Sequence, residues 1–294
     1  MTYGFRAAIH SLGRDLGHLP VRDRAVIRIL NRAGAATAAQ LTTLAYGNRR
    51  VAQERLSLLW HLGFLERAPV PTAHGGPALA YRLSAACLGR LGYGRDPWRG
   101  PGYLAHTLDG VEAVCALVRS GTREPEPPVQ LWLPESIVAD LAPVGTAPDA
   151  IVVLATESGS GVVCLEIDEA TQHVAPIRDK LAGYRRVVAG PTAMHVLFVV
   201  PSAARRTWLR RVAAQLDLAG TRLWAVTADE IGRGGLRAPV TSLGDHAVSG
   251  SLADVLTDRR PRWSGSPVAS RAWLELLGSG GGEELGDLLG SHGQ

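Results

Sequence analysis

Three acidic residues in the middle of the chain have the type and spacing of a metal-binding site. Asp149 precedes one apolar run, and Glu166 and Asp168 end the next one. Residues i and i+2 of a strand share a face, so Glu166 and Asp168 should point the same way. Hard carboxylate oxygens bind Mg²⁺ or Mn²⁺, and such an ion can polarise a phosphate and activate its bound water. The sequence therefore predicts a Mg²⁺ or Mn²⁺ site on Asp149, Glu166 and Asp168.

One cation stands out near these acids. Lys180 is the sole lysine in a chain with 30 arginines. A helix is expected over 176–188, which puts Lys180 in its second turn, with Tyr184 four residues later on the same helix face. An ammonium held there could stabilise the negative charge that develops in phosphoryl transfer. The candidate site residues are Asp149, Glu166, Asp168 and Lys180.

The apolar runs around these residues predict the elements that position them. Short β-type runs alternate with segments of helical periodicity, and Gly or Pro separates most of them. The order indicates an α/β protein of the mixed α+β kind, with helices on the faces of a mixed sheet. The expected elements are a helix over 105–119, strands over 129–133, 148–154 and 162–168, a helix over 176–188, a strand over 194–200, a helix over 205–216 and a strand over 222–227.

The acidic pattern resembles a known nuclease motif. Pro148-Asp149 followed by Glu166-x-Asp168 looks like the core of the PD-(D/E)xK, or restriction-endonuclease-like, superfamily. The resemblance implies a hairpin that presents the acids to Mg²⁺ or Mn²⁺ and a DNA endonuclease activity. Asp168 stands where the motif has its strand lysine. Some members carry that lysine on the following helix, and Lys180 would take its role here.

The charge of the chain is concentrated at its front. Residues 1–100 hold 14 arginines and five acids, a formal charge of +9. Residues 101–235 carry −3 and residues 236–294 carry −2. This asymmetry predicts a front domain that binds a polyanion, joined to a domain with another task.

The front domain resembles the winged helix-turn-helix family. Helices are expected over 21–33, 37–44 and 49–62, followed by strands over 64–67 and 79–83. The segment "LSLLWHLGFLERAPV…ALAYRLS" carries the resemblance. It implies that the third helix enters the major groove of double-stranded DNA, although many such domains bind protein instead. With Val51, Leu56, Leu59 and Leu62 as the buried stripe, the residues expected to contact DNA are Arg49, Arg50, Gln53 and Ser57.

A longer resemblance joins both halves. The chain is similar over about residues 15–230 to the replication-relaxation proteins of actinobacterial and related mobile elements. The segments that carry the similarity are 106–117, Trp132 with Glu135, 148–154 and 165–184. The resemblance implies a DNA-binding protein linked to plasmid replication or transfer, with a nuclease-like fold.

The composition along the chain suggests where the domains begin and end. We expect a winged-helix domain over 1–95, a linker over 96–103, a nuclease-like domain over 104–234 and a flexible tail over 235–294. A helix over 4–16 would serve packing or a homodimer. No apolar run reaches the roughly 18 residues of a membrane span, and no secretory signal is recognisable, so we expect a cytoplasmic protein without a membrane partner.

Two interpretations of function remain at this point. In the first, the protein is a Mg²⁺- or Mn²⁺-dependent DNA endonuclease or nickase that its winged helix places on DNA. In the second, it is a DNA-binding regulator or replication accessory whose nuclease-like domain serves dimerisation or partner docking without catalysis. The acids and Lys180 favour the first interpretation, and the missing strand lysine favours the second.

Overall fold

The computed structural model has a mixed α/β architecture divided into two compact units. It describes residues 19–70, 78–91, 96, 98–120, 128–141, 147–156, 159–188, 194–244 and 249–257. The units are Met1–Val111 and Glu112–Gln294. The helix expected over 4–16 lies outside the described residues. Among the helices that are described, none is both long enough and apolar enough to cross a membrane.

The first unit combines short helices with a small antiparallel sheet of order β1-β3-β2. In this sheet Ala36 of β1 pairs with Tyr81 of β3, and Leu65 of β2 pairs with Leu83 of β3. Its elements are α1 (Val21–Ala33), β1 (Ala36–Thr37), α2 (Ala38–Leu41), a π-helix (Thr42–Tyr46), α3 (Arg49–His61), β2 (Leu65–Val70), β3 (Ala78–Leu83), α4 (Ala85–Leu91), a 3₁₀ turn (Pro101–Tyr103) and the start of α5 (Leu104–Ser120).

The second helix differs from the sequence expectation. One helix was expected over 37–44, but the chain forms the four-residue α2 and then a π-helix. Thr37 belongs to β1 and also begins α2, because its side chain accepts a hydrogen bond from the Gln40 amide while the Gln40 side chain accepts one from the Thr37 amide. The π-helix buries Tyr46.

Helix α3 is anchored through a buried carboxylate. Asp23 of α1 is fully buried and accepts hydrogen bonds from the Tyr46 hydroxyl at 3.0 Å and from Arg55 of α3. Burial is the main reason that the pKa of Tyr46 is raised, with the Asp23 charge adding to it. These contacts fix the orientation of α3 against the rest of its unit.

The buried stripe of α3 begins one residue later than expected. Ala52, Leu56 and Leu59 face the core, whereas Val51 is 37% exposed. The spacing i, i+4, i+7 of the three buried residues makes one continuous face, from which Val51 is rotated by about 100°. Asn48 caps the helix by accepting from the amides of Arg50 and Val51.

The second unit is built on a seven-stranded sheet of order β10-β9-β8-β7-β6-β5-β4. Strands β4, β5 and β6 are antiparallel, β6, β7 and β8 are parallel, and β8, β9 and β10 are antiparallel. Its elements are β4 (Val129–Pro134), α6 (Glu135–Leu141), β5 (Ala150–Thr156), β6 (Gly159–Ile167), α7 (Val174–Val188), β7 (Met194–Val200), α8 (Ala203–Ala213), β8 (Leu223–Thr227), α9 (Ala228–Gly234), a 3₁₀ turn (Gly235–Arg237), β9 (Pro239–Ser242), β10 (Ser249–Ser251) and α10 (Leu252–Thr257).

The strands and helices expected between residues 129 and 227 are present in the expected order, but α6 (Glu135–Leu141) between β4 and β5 was not expected. The sheet continues past residue 234, however, where a flexible tail was expected to begin. Strands β9 and β10 extend it by pairing Trp224 with Ser242 and Val240 with Gly250. These strands are three or four residues long and rich in Ser, Gly and Pro, so they carry little periodic signal.

Helices α7 and α8 cover one face of the sheet. Ile177, Leu181 and Tyr184 of α7 and Leu209 and Val212 of α8 form one apolar cluster with alternate residues of the strands. Residues that point to this face from the strand ends are therefore held against two helices.

A glycine at the end of α9 is expected to be essential for the second unit. Gly235 has a φ of 51°, and an added Cβ would lie 2.3 Å from Ser120 Cβ and 2.7 Å from the Ala116 carbonyl oxygen. Gly235→Ala should therefore lower the free energy of unfolding by about 2 kcal/mol or more, from overpacking and backbone strain. Urea unfolding measures the change.

The matched control is Gly232→Ala in α9, where an added Cβ meets no atom within 4 Å. Alanine should stabilise that helix by up to about 1 kcal/mol. Equal stabilities of the two variants would contradict the packing seen around Gly235.

Candidate active site

Two of the predicted acids meet on the hairpin of β5 and β6. Ala150 pairs with Leu165 in this antiparallel ladder, and its continuation by one residue brings Asp149 opposite Glu166. Asp149 Oδ2 accepts a hydrogen bond of 2.7 Å from the Ile167 amide, which holds its carboxylate at the strand end. Both side chains point to the sheet face covered by α7 and α8, since the next residues on that face, Ile151 and Cys164, belong to its apolar cluster.

Glu166 is the most buried acid of the site, with 1% exposure. Its Oε2 accepts from Lys180 Nζ, and its Oε1 accepts from the Tyr184 hydroxyl. Lys180 and Tyr184 are four residues apart on α7 and so project from one helix face. The helix therefore supplies one partner to each oxygen of the carboxylate.

Burial changes the acidity of this group. The pKa of Glu166 is raised to about 7, first by desolvation and then by the negative charge of Asp149. Lys180 and the hydrogen bonds oppose this shift without cancelling it. Desolvation would lower the pKa of Lys180, but the charges of Glu166 and Asp149 outweigh it and raise that pKa. Lys180 therefore stays protonated beside a carboxyl that exchanges its proton near neutral pH.

Asp168 has different partners. Arg205 of α8 donates to both of its oxygens, at 2.6 Å from Nε and 3.0 Å from Nη2, and the Ala170 amide donates at 2.9 Å. Arg205 also donates to the Gln172 carbonyl and lies 3.8 Å from the centre of the Trp208 ring. Asp168 thus orders the turn after β6, and its role as a metal ligand or catalytic group stays a prediction.

A third acid, Glu135, belongs to the same row. Leu133 of β4 pairs with Ile151 of β5, so Glu135, two residues after Leu133, comes opposite Asp149. A carboxylate oxygen of Glu135 lies within 4.8 Å of one from Asp149. The alternation of Leu131, Leu133 and Glu135 along β4 is the signal that could have placed Glu135 on this face.

Glu135, Asp149 and Glu166 are named the acidic row below; the two of them whose ligand atoms lie within 4.8 Å of each other are Glu135 and Asp149. Carboxylate oxygens suit Mg²⁺ and Mn²⁺ better than softer metals. Glu135 and Asp149 are partly exposed, so two of the three carboxylates are open to an ion from solvent. A Mg²⁺ or Mn²⁺ ion on Asp149, Glu166 and Asp168 stays a prediction, and Glu135 is a further carboxylate near Asp149.

The residues expected to contact DNA lie on α3 of the first unit. Arg49, Arg50 and Gln53 are exposed, and Arg50 forms an ion pair of 3.0 Å with the exposed Glu54. Ser57 is partly buried, and its hydroxyl lies 3.4 Å from Nδ1 of His61. Arg49, Gln53 and Ser57 follow one flank of the helix at intervals of four residues.

The raised pKa of Glu166 predicts how stability depends on pH. Below its ordinary pKa of 4.5 the carboxyl is protonated in both states, and its contribution is fully present. As pH rises the unfolded chain loses this proton first, so the contribution falls until pH exceeds the folded pKa of about 7. The loss amounts to about 3 kcal/mol at 1.36 kcal/mol per pKa unit.

Glu166→Gln should remove this slope from the free energy of unfolding measured in urea between pH 4.5 and 8. The control is Glu169→Gln, an exposed change on the turn after β6, which should keep the slope. A wild-type slope that survives Glu166→Gln would mean that another group carries it.

Comparison with known proteins identifies the family of the chain. A model of the family described as replication-relaxation matches residues 27–198, which is more than half of the chain and includes the acidic row, Lys180 and the exposed residues of α3. No curated protein and no solved structure matches. The chain belongs to the replication-relaxation family, and this membership suggests a role in the replication or transfer of a plasmid or other mobile element.

Proposed function

We propose that this protein binds double-stranded DNA of a plasmid or mobile element and cleaves or nicks it with the help of Mg²⁺ or Mn²⁺. The observation that carries the proposal is the acidic row beside Lys180. Three carboxylates at or just beyond the ends of adjacent strands share one sheet face, and a partly buried lysine contacts the innermost of them. The arrangement supports a nuclease-like domain of the PD-(D/E)xK type.

The first unit is proposed to be a winged helix. Its support is the element order, in which β1 lies between two helices and a hairpin follows α3. Such domains place their third helix in the major groove. The charge of +9 on residues 1–100 attracts the phosphate backbone.

The exposed flank of α3 supplies the contacts. Arg49 and Arg50 lie at its N-terminal end, where guanidinium groups reach phosphates and the guanine edge. Gln53 is one turn further on and offers an amide that can pair with the adenine edge. The ion pairing of Arg55 with the buried Asp23 keeps this flank turned outward.

In the second unit, Asp149 and Glu166 would hold the ion, together with Glu135. When bound, a divalent ion polarises the scissile phosphate and lowers the pKa of its water. Tyr184 orients the Glu166 carboxylate through its hydroxyl. Lys180 holds a proton at Nζ and carries a compact positive charge that can meet a phosphate oxygen.

A second candidate is a DNA-binding regulator or replication accessory without catalysis. The observation that favours it is the engagement of both Glu166 oxygens by Lys180 and Tyr184 and of both Asp168 oxygens by Arg205. In this case Lys180 neutralises a carboxylate cluster that would otherwise repel itself. Mn²⁺ binding and DNA cleavage separate the two candidates.

DNA binding is tested on the full chain. Affinity for duplex DNA should fall steeply as salt concentration rises, because bound phosphates release counterions. Arg49→Ala with Arg50→Ala should weaken binding to every sequence and reduce the salt slope by about 2, whereas Gln53→Ala should chiefly relax specificity. Fluorescence anisotropy across a salt series measures both effects.

The control for that test is Arg185→Ala, which removes an exposed arginine from the second unit. It should change the affinity little. Binding that is insensitive to salt, or unchanged in the double variant, would contradict a DNA-contacting α3.

Catalysis is tested by incubating plasmid DNA with the protein and Mn²⁺. Cleavage should stop in chelator and in Asp149→Asn and Glu166→Gln, which lose carboxylate ligands. Lys180→Ala should slow it by about 10² to 10³, the usual loss for one electrostatic stabiliser. Lys180→Arg should not restore it fully, because a planar guanidinium replaces a compact ammonium.

Calorimetric titration of Mn²⁺ gives a readout besides activity. Wild type should bind the ion, Asp149→Asn should bind it more weakly, and DNA binding should survive in every variant. If the wild-type protein binds DNA but does not cut it in a buffer that contains Mn²⁺, the result would support the second candidate.

A further inference from the structure

We propose that Trp60 and Arg67 form a stacking site for an unpaired DNA base, so that the first unit recognises a junction between duplex and single strand. The proposal rests on the proposed DNA binding by α3 and deepens it. It adds Trp60 and Arg67 to the residues proposed to contact DNA.

Trp60 continues the flank of α3 proposed to face DNA. Arg49, Gln53, Ser57 and Trp60 are spaced by four, four and three residues, which keeps them along one side of a helix. Trp60 is 39% exposed at the C-terminal end of this flank. This flank therefore begins with Arg49 and ends with the indole ring of Trp60.

A cation lies against this ring. The guanidinium carbon of Arg67, on β2, is 3.9 Å from the centre of the Trp60 ring and 5.6 Å from that of Tyr81 on β3. Within the described part of the chain the Arg67 side chain forms no hydrogen bond or ion pair, and its buried Nε meets no acceptor. Two aromatic rings hold a guanidinium whose hydrogen-bonding capacity is unused.

An unpaired nucleotide matches this pair of groups. Its base offers a flat π surface that can extend the stack of indole and guanidinium, and its phosphate offers an acceptor to Arg67. Bases inside a duplex are already stacked on both sides, so only an unpaired base can reach Trp60. The indole also contacts the His61 ring, at 4.5 Å between centroids, and the residue keeps an exposure of 39%. An apolar protein ligand would have to bury this unsatisfied cation, at a cost in free energy.

The experiment compares one duplex in three forms, which are blunt, with a 3′ single-stranded extension and with a 5′ single-stranded extension. Wild-type full-length protein should bind one extended form at least about 5-fold more tightly than the blunt form, the lower end of the gain from stacking one base. Trp60→Ala should abolish this preference, because the variant should lose more affinity for the extended form than for the blunt form. Trp60→Phe should retain most of the preference, since a phenyl ring still stacks.

The matched control is Leu58→Ala. Leu58 is on the same helix and is 40% exposed, but it lies on the opposite flank. Its loss should leave the preference intact. Arg67→Ala should reduce the preference and also lower the salt slope for the extended form by about 1, as loss of one phosphate contact does.

Each other result overturns the proposal. Equal wild-type affinity for all three forms excludes a site for an unpaired base, while salt-dependent binding of those forms would leave the proposed DNA binding intact. A preference that survives in Trp60→Ala places the site elsewhere. Equal loss of blunt and extended binding in both Trp60 variants would make Trp60 a duplex contact or a folding residue. Absence of all DNA binding in wild type would overturn the proposed function as well.

Discussion

The second unit depends on the burial of one carboxylate. Glu166 lies between the sheet and helix α7, and its two oxygens meet Lys180 and Tyr184. A carboxylate at this depth costs several kcal/mol unless charge and hydrogen bonds compensate it. Lys180 and Tyr184 compensate part of this cost, but burial, and after it the negative charge of Asp149, still raises the pKa of Glu166. The site thus holds one positive charge among several negative ones, which is a balance that an added divalent cation would improve.

The first unit also contains a buried carboxylate. Asp23 is buried in α1, and Tyr46 and Arg55 satisfy it from the π-helix and from α3. The wider turn of the π-helix sets the direction of the Tyr46 side chain, because each residue of a π-helix turns through a smaller angle than in an α-helix. The local irregularity, the buried acid and the position of α3 therefore belong to one structural arrangement.

Much of this architecture could be predicted from local sequence signals. The bounds of α1, the capping of α3 by Asn48 and the hairpin that joins Asp149 to Glu166 follow from periodicity, turn residues and strand alternation. What could not be predicted depends on contacts between distant segments. Arg205 lies 37 residues after Asp168, on another element, and the spacing of the two residues does not predict their contact. The two residues of β1 are too few to show a period, and Glu135 needed the register of β4 against β5 to be placed.

The position of Lys180 on a helix has a consequence for how the site could change state. A lysine on the strand would move only with the sheet, but Lys180 and Tyr184 share α7. A small translation of this helix would withdraw the ammonium and the hydroxyl from Glu166 together. Because α7 packs on the sheet through Ile177 and Leu181, the apolar contacts of the helix and the charge state of the carboxylate are mechanically linked. A displacement of α7 would therefore change the electrostatic environment of the acidic row.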